Sequence, residues 1–391
     1  MSISLIDLPE HRAKLFPFTL TRPIADLRVG ILTIREKWEK HLKAPVGFLA
    51  ADILQEKYHI AEKSSLVING ILCPDEGLVK AIESLQENEA LFHQDLFLAA
   101  RGSFDGLPTA FDTFEKVAFD GSFTAIHRAW DMFTHNGDQI VEDFKLLTAG
   151  RKSQPISDKH TIVYGEENIF TEEGVDIKAA ILNAEEGPIY LGKNSNVQEG
   201  ATIRGPFGLG ENARINMNAK IREGVSIGPN CKVGGEVSNS IIYGNSNKAH
   251  DGYLGNAVIG EWCNLGADTN NSNLKNNYDT VKAWDYEEEK LISTGLQFCG
   301  LFMGDHSKTA INSALNTGTT VGVACNLFGS GFPPTYVPSF TWGGAPKSDV
   351  HAFDKAMKTA RIVMERKNTA LTPAAEKVLK TIFEAAIKNH E

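Results

Sequence analysis

Five cysteines in 391 residues, at positions 73, 231, 263, 299 and 325, form no CxxC pair, which argues against a disulfide framework and against a zinc site. Reduced thiols are the simplest reading. No window approaches the roughly 20 apolar residues that a membrane-crossing helix needs. The opening MSISLIDLPEHRAKLF also lacks the charged start and unbroken apolar stretch of a signal peptide. Excess positive charge is missing as well: the net charge of −10 speaks against nucleic acid or an anionic membrane as the main partner. A cytoplasmic protein is expected, with 42% hydrophobic residues for ordinary cores and enough length for two domains.

What is present is a period. Leu191, Val197, Ile203, Leu209, Ile215, Ile221, Ile227 and Val233 recur at a strict spacing of six. An α-helix turns about 100° per residue, so each of these side chains would point roughly 240° away from the last and no apolar stripe would form. A single strand of that length is excluded by the Gly, Asn and Pro scattered through it. The chain therefore bends within every hexad, as in a parallel β-helix. Four places after each aliphatic residue stand Ser195, Ala201, Ala213, Ala219, Val225, Cys231 and Val237, with Phe207 the one bulky exception. Coils of this kind are stable only when several stack.

The rhythm breaks after Val237, returns out of phase at Ile259 and Leu265, and runs again through Met303, Thr309, Leu315, Val321 and Leu327. Between the two runs, residues 273–297 are polar and charged and are expected to project as a loop from one corner. The chain then reads as four parts: an α/β domain over 1–125, a helical connector over 126–159, the β-helix over 160–340 and a helical tail over 341–391. Helical patterns are expected at Ala25 to Leu42, Glu76 to Leu85, Ala129 to Leu147, Ala352 to Arg366 and Pro373 to Lys388, the last with Thr372 as N-cap.

A β-helix by itself is a scaffold, so chemistry is sought where the repeat breaks, from Asn247 to Tyr278. The stretch HDGYLGNAVIG, followed by NLGADT and SNLKNNYD, resembles the active-site region of the left-handed β-helix acetyltransferase domain in bacterial bifunctional N-acetylglucosamine-1-phosphate uridyltransferase/glucosamine-1-phosphate acetyltransferases. The resemblance spans about residues 190–330. It implies that His250 is the general base that deprotonates the sugar amine. It implies substrate contacts at Tyr253, Asn264 and Asn273, and acetyl-coenzyme A contacts at Ala267, Gly304 and Asp305. A histidine suits the role on its own terms, because it titrates near neutrality. Two departures stand out: Asp268 replaces a family glycine, and Lys248 and Ala249 precede His250 with one residue fewer than usual.

The segment from Lys14 to Lys40 is similar to the opening of sugar-1-phosphate nucleotidyltransferases, especially a divergent branch fused to a hexapeptide β-helix. That family's phosphate-binding glycines are absent here. The phosphate contacts would then fall to Arg12, Lys14, Arg22, Arg28 and Lys37. Asn69 and Gly70 stand where an acidic residue is expected to hold the Mg2+ that the resemblance implies, while Asp75 nearby is placed to cap a helix.

The resemblance thus implies a bifunctional enzyme of nucleotide-sugar biosynthesis that uses acetyl-coenzyme A, an amino-sugar-1-phosphate and a nucleoside triphosphate, and assembles as a homotrimer. Two alternatives stand beside it. One is a sugar-1-phosphate nucleotidyltransferase alone, such as a thymidylyltransferase or guanylyltransferase. The other is a non-catalytic assembly or regulatory subunit.

Overall fold

The computed structural model describes residues 2–58, 61, 63–108 and 110–388. They divide into two units, one of residues up to 28 with 32–129, the other of 29–31 with residues from 130 onward. The first unit is α/β. Its six-stranded sheet runs in the order 46–49, 3–6, 63–69, 96–105, 89–93, 115–118. Strand Ile3–Ile6 is parallel to both of its neighbours. All four of its residues are buried, as the two-sided burial of a central parallel strand requires.

A helix from Ala25 to Leu42 is not what forms. Ile24–Asp26 is a single 3-10 turn, and the α-helix begins only at Ile34. The late start has a local cause: the Glu36 amide donates to Thr33 Oγ1 at 3.2 Å and the Thr33 amide to Glu36 Oε2 at 2.7 Å, a capping box. Helix Glu76–Ser84 starts on Asp75, whose Oδ1 accepts from the Leu78 amide at 2.9 Å.

In the second unit, helix Ala129–Thr148 leads into a parallel β-solenoid of about ten turns. Residues eighteen apart pair, as in Ile203 with Ile221 and Leu209 with Ile227, so three hexads make one coil. The eight aliphatic residues of the first run are at most 3% exposed, and Phe207 is fully buried among them. At one corner of successive coils, Asn194, Asn212, Asn230 and Asn245 all adopt the left-handed conformation that Asn tolerates.

The segment 273–297 does not project as a simple loop. Lys282–Asp285 and Lys290–Ser293 pair as an antiparallel hairpin, and Trp284 stacks on Tyr336 with ring centroids 4.1 Å apart. Val281 and Ala283 are buried, and the charged tip 287–290 stays exposed. Apolar residues spaced through a polar stretch, too few to read as a strand pattern, supply the anchor. The tail forms helices Phe353–Glu365 and Pro373–Ile387, the second capped by Thr372, whose Oγ1 accepts from the Ala375 amide. Between them Lys367 Nζ donates to the carbonyls of Asn230 and Asn245 at 2.6 and 2.9 Å.

Candidate active site at the shortened coil

The coil that leads into His250 is three residues short: Val233 pairs with Lys248, fifteen places on, where the regular coils just before it step by eighteen. Lys248 therefore falls on an interior position that the repeat reserves for an aliphatic residue. Only 2% of it is exposed, and its Nζ turns to donate to the His250 carbonyl at 2.6 Å. Burial pushes its ammonium down to about 8 against the opposing charges of Asp251 and Asp268. A Cβ on Gly235 would lie 2.9 Å from that Nζ, so the glycine leaves the ammonium its space.

His250 itself is exposed, and among the described residues its imidazole has no hydrogen-bond partner. Two residues on, Gly252 has φ +115°, and a Cβ there would meet the Thr269 carbonyl oxygen at 2.3 Å, so the turn admits only glycine. The strand Tyr253–Gly255 is then held by asparagines. Asn270 Oδ1 accepts from the Tyr253 amide at 2.7 Å and Asn271 Oδ1 from the Gly255 amide at 2.9 Å. Asn273 Nδ2 donates to Tyr253 Oη at 3.0 Å and to Asn256 Oδ1 at 2.7 Å. Burial raises the Tyr253 pKa above its usual value, with the Asn273 bond opposing, so the phenol stays neutral and keeps its proton for a ligand. Sequence reasoning missed Lys248, Asn256, Asn270 and Asn271. The density of Asn after Thr269 was the visible signal for the last two.

Asn264 lies on another face. It lines a cavity of about 690 Å³ with Lys232, Asn247, Trp262 and Lys308, and neither Tyr253 nor Asn273 borders that space. Asp305 is 3% exposed, and its Oδ1 accepts from the Glu261 amide at 2.8 Å. Gly304 packs so closely that a Cβ would lie 2.9 Å from the Gly322 carbonyl, and the Ala267 carbonyl accepts from the Asn312 amide at 2.8 Å. Coil stacking alone accounts for the positions of these three residues.

In the first unit, ligands of such sheets are expected beyond the carboxyl ends of the parallel strands. There Asp7 Oδ2 takes Arg12 Nη1 at 3.1 Å and Oδ1 takes the Ile24 amide at 2.8 Å. Burial raises the Asp7 carboxyl to about 6 despite the Arg12 guanidinium. Asn69 is fully buried; its Nδ2 donates to the Phe97 carbonyl at 3.0 Å and lies 3.4 Å from His11 Nε2. His11 is pushed down to about 4 by burial, and its ring meets His127 edge-on at 5.9 Å. Of the cations that the resemblance names, Arg22 is 1% exposed and Lys37 2%, whereas Arg12, Lys14 and Arg28 are half-buried. Arg28 faces Glu36 at 4.0 Å.

No three His, Cys, Asp or Glu side chains among the described residues cluster as metal ligands. Asp75 is committed to its helix cap and Asp7 to Arg12, so the donor set does not fit the Mg2+ that the resemblance implies.

Residues 3–152 match the family model described as sugar nucleotidyl transferase. Among curated proteins, the chain is 34% identical over 93 residues to a bifunctional sugar-1-phosphate nucleotidylyltransferase/acetyltransferase of Sulfurisphaera tokodaii, an alignment covering 24% of this chain and 23% of that one. It is 36% identical over 90 residues to the bifunctional protein GlmU of Methanocaldococcus jannaschii, covering 23% and 21%. The resemblance to the bifunctional fusion is upheld, although the chain spans under a quarter of the length of these relatives. Among solved structures, the polysialic acid O-acetyltransferase OatWY aligns at 13% identity over 49% of this chain and 85% of that one, with a TM-score of 0.24, too distant to carry an argument. No helix of the described residues is long and apolar enough to cross a membrane.

Proposed function

We propose that this protein is a bifunctional transferase of nucleotide-sugar biosynthesis. Its solenoid acetylates an amino-sugar-1-phosphate, glucosamine-1-phosphate being the chosen candidate, with acetyl-coenzyme A as donor. Its N-terminal unit transfers a nucleotidyl group to the sugar-1-phosphate, yielding UDP-N-acetylglucosamine when the nucleotide is UTP. The observation that carries the first half is His250: an exposed imidazole without a partner among the described residues, on a glycine turn, three residues from a Tyr253 phenol tied to Asn273.

In this reading the sugar nitrogen attacks the thioester carbonyl, and His250 takes the nitrogen's proton as the C–N bond forms. The tetrahedral oxyanion collapses, the C–S bond breaks and the proton passes to the departing thiolate. Backbone N–H groups at the coil corner are the available oxyanion donors. Tyr253 and Asn273 orient the sugar. Asn264, Ala267, Gly304 and Asp305 are the remaining contacts in this proposal, and Arg12, Lys14 and Arg28 are the part-exposed cations for nucleotide phosphates, with Arg22, Lys37 and Asn69 supporting them from the interior. Sites closed between neighbouring solenoids would make the working form a homotrimer, in the cytoplasm.

The test is an assay of purified protein with acetyl-coenzyme A against a panel of amino-sugar phosphates, and separately of sugar-1-phosphates with UTP, dTTP and GTP. Acetylation of glucosamine-1-phosphate and UTP-dependent release of pyrophosphate are expected. Turnover in the nucleotidyl assay alone would reduce the solenoid to an assembly platform.

A further inference from the structure

The cavity that holds Asn264 carries four cationic side chains, Lys232, Lys308, Arg366 and Lys367, and among the described residues no carboxylate lines it. None of the four makes an ion pair with a described residue. In a chain of net charge −10, this is a local reversal of sign that mutual repulsion disfavours unless an anion enters. Lys308 is the most enclosed: its Nζ donates to the His306 carbonyl at 2.8 Å, and burial lowers its pKa, opposed by the Cys263 thiol beside it. Arg366 approaches from the end of the first tail helix, so the wall is built from two distant parts of the chain.

A second observation points the same way. At the corner where Asn194, Asn212, Asn230 and Asn245 take the left-handed conformation, the next two coils place Trp262 and His306, both at φ +61°. A bulky side chain is costly there, and such strain collects at functional sites. The indole lies parallel to the His306 ring with centroids 6.3 Å apart, and Trp262 borders the cavity. Asn247, beside it, buries an Oδ1 that accepts no hydrogen bond among the described residues.

We infer that this cavity binds a phosphorylated small molecule, its phosphate held by Lys308 and Arg366 with Lys232 at the rim, and that the end of the first tail helix is part of the binding wall. A phosphate dianion takes charge-assisted hydrogen bonds from both ammonium and guanidinium groups, and Arg offers two in parallel. The Asn247 amide oxygen is left to accept from a hydroxyl on the same molecule. Asn264, which the proposed function counts among its substrate contacts, lines the cavity, but neither His250 nor Tyr253 does, so phosphate binding here is measured apart from acyl transfer at His250. The phosphate has two plausible sources in chemical terms, a sugar phosphate or a nucleotide.

Calorimetric titration of the full chain with inorganic pyrophosphate, glucosamine-1-phosphate and adenosine 3′,5′-bisphosphate tests it, with N-acetylglucosamine as the neutral control. The phosphates bind, the neutral sugar does not, and affinity falls with added salt. Arg366→Ala and Lys308→Met each weaken binding about tenfold, the loss of one charged hydrogen bond. Tighter binding of the sugar phosphate or of the bisphosphate assigns the source, and equal binding leaves a site for phosphate alone. The inference is overturned if no phosphate binds at millimolar concentration, if the neutral sugar binds equally, or if Arg366→Glu keeps full affinity. Arg366 is exposed, so that last variant folds even where Lys308→Met does not.

Discussion

At the carboxyl ends of the N-terminal sheet, Asp7 is closed by Arg12 and the Ile24 amide, and Asn69 by the Phe97 carbonyl. At the shortened coil of the solenoid, by contrast, His250 stands exposed with a ring unpartnered among the described residues, and the Tyr253 phenol keeps a proton to donate. The difference is one of available bonding capacity. A ligand in the first region must exchange existing hydrogen bonds, each worth about 1 kcal/mol and more when charged, whereas one at His250 displaces only water. The corner is therefore the better-prepared site, even though the family match lies on the N-terminal residues.

The hardest blow to this contrast is His250→Ala. Loss of a general base costs about 10²- to 10⁴-fold, so steady-state assays should find acetyl transfer nearly gone while nucleotidyl transfer and the melting temperature hold. A variant that keeps more than about a tenth of the rate makes His250 structural and removes the contrast.

The closed character of the first region is read through pH. The folded chain refuses a proton on His11 until about pH 4, whereas the unfolded chain takes one up near 6.5, so His11 contributes stability above pH 6.5 that is lost as pH falls through that window. Asp7 acts in the opposite sense: its folded carboxyl protonates near 6 against 3.8 unfolded, so stability is gained as pH falls. In His11→Gln the His11 contribution is gone while that of Asp7 remains. Relative to wild type, the variant should gain up to about 3 kcal/mol between pH 6.5 and 4 in denaturant titrations. A pH-independent difference would show that His11 is not held neutral.

Lys248→Met sharpens the other side. Methionine restores the apolar interior that the coil otherwise has, so thermal melts should show no loss of stability. Removing the bond to the His250 carbonyl should nevertheless lower the acetyl-transfer rate about tenfold, with KM little changed. A lower melting temperature with an unchanged rate would make the lysine purely structural. The smallest effect is expected from Tyr253→Phe, which removes one hydrogen bond to Asn273. KM for the amino sugar should rise by a few-fold, equivalent to about 0.5–1.5 kcal/mol, and an unchanged KM would take Tyr253 out of the sugar site.

Much of this molecule was legible before any coordinates. The strict six-residue register named the buried side of every regular coil, because a three-sided coil returns to the same face at that period. Thr372 and Asp75 marked two helix starts through their own side-chain chemistry. The expectation at Ala25 failed because the capping box at Thr33 and Glu36 outweighs a loose apolar periodicity. The hairpin in 273–297 was hidden because its anchor, Trp284 on Tyr336, joins residues some fifty apart.

Local pattern by itself determined which residues face inward, where corners turn and where the repeat breaks, since those follow from steric limits on each residue and from the period. Tertiary structure decided what the outward and exceptional residues meet. It turned Lys248 inward by shortening one coil, tied Tyr253 to Asn273 and not to Asn264, closed Asp7 with Arg12, and gathered Lys232, Lys308 and Arg366 around one cavity. The placement of Lys248 depends on coil length, and the cavity joins Lys232 to Arg366, more than a hundred residues away, neither of which a short window of sequence contains.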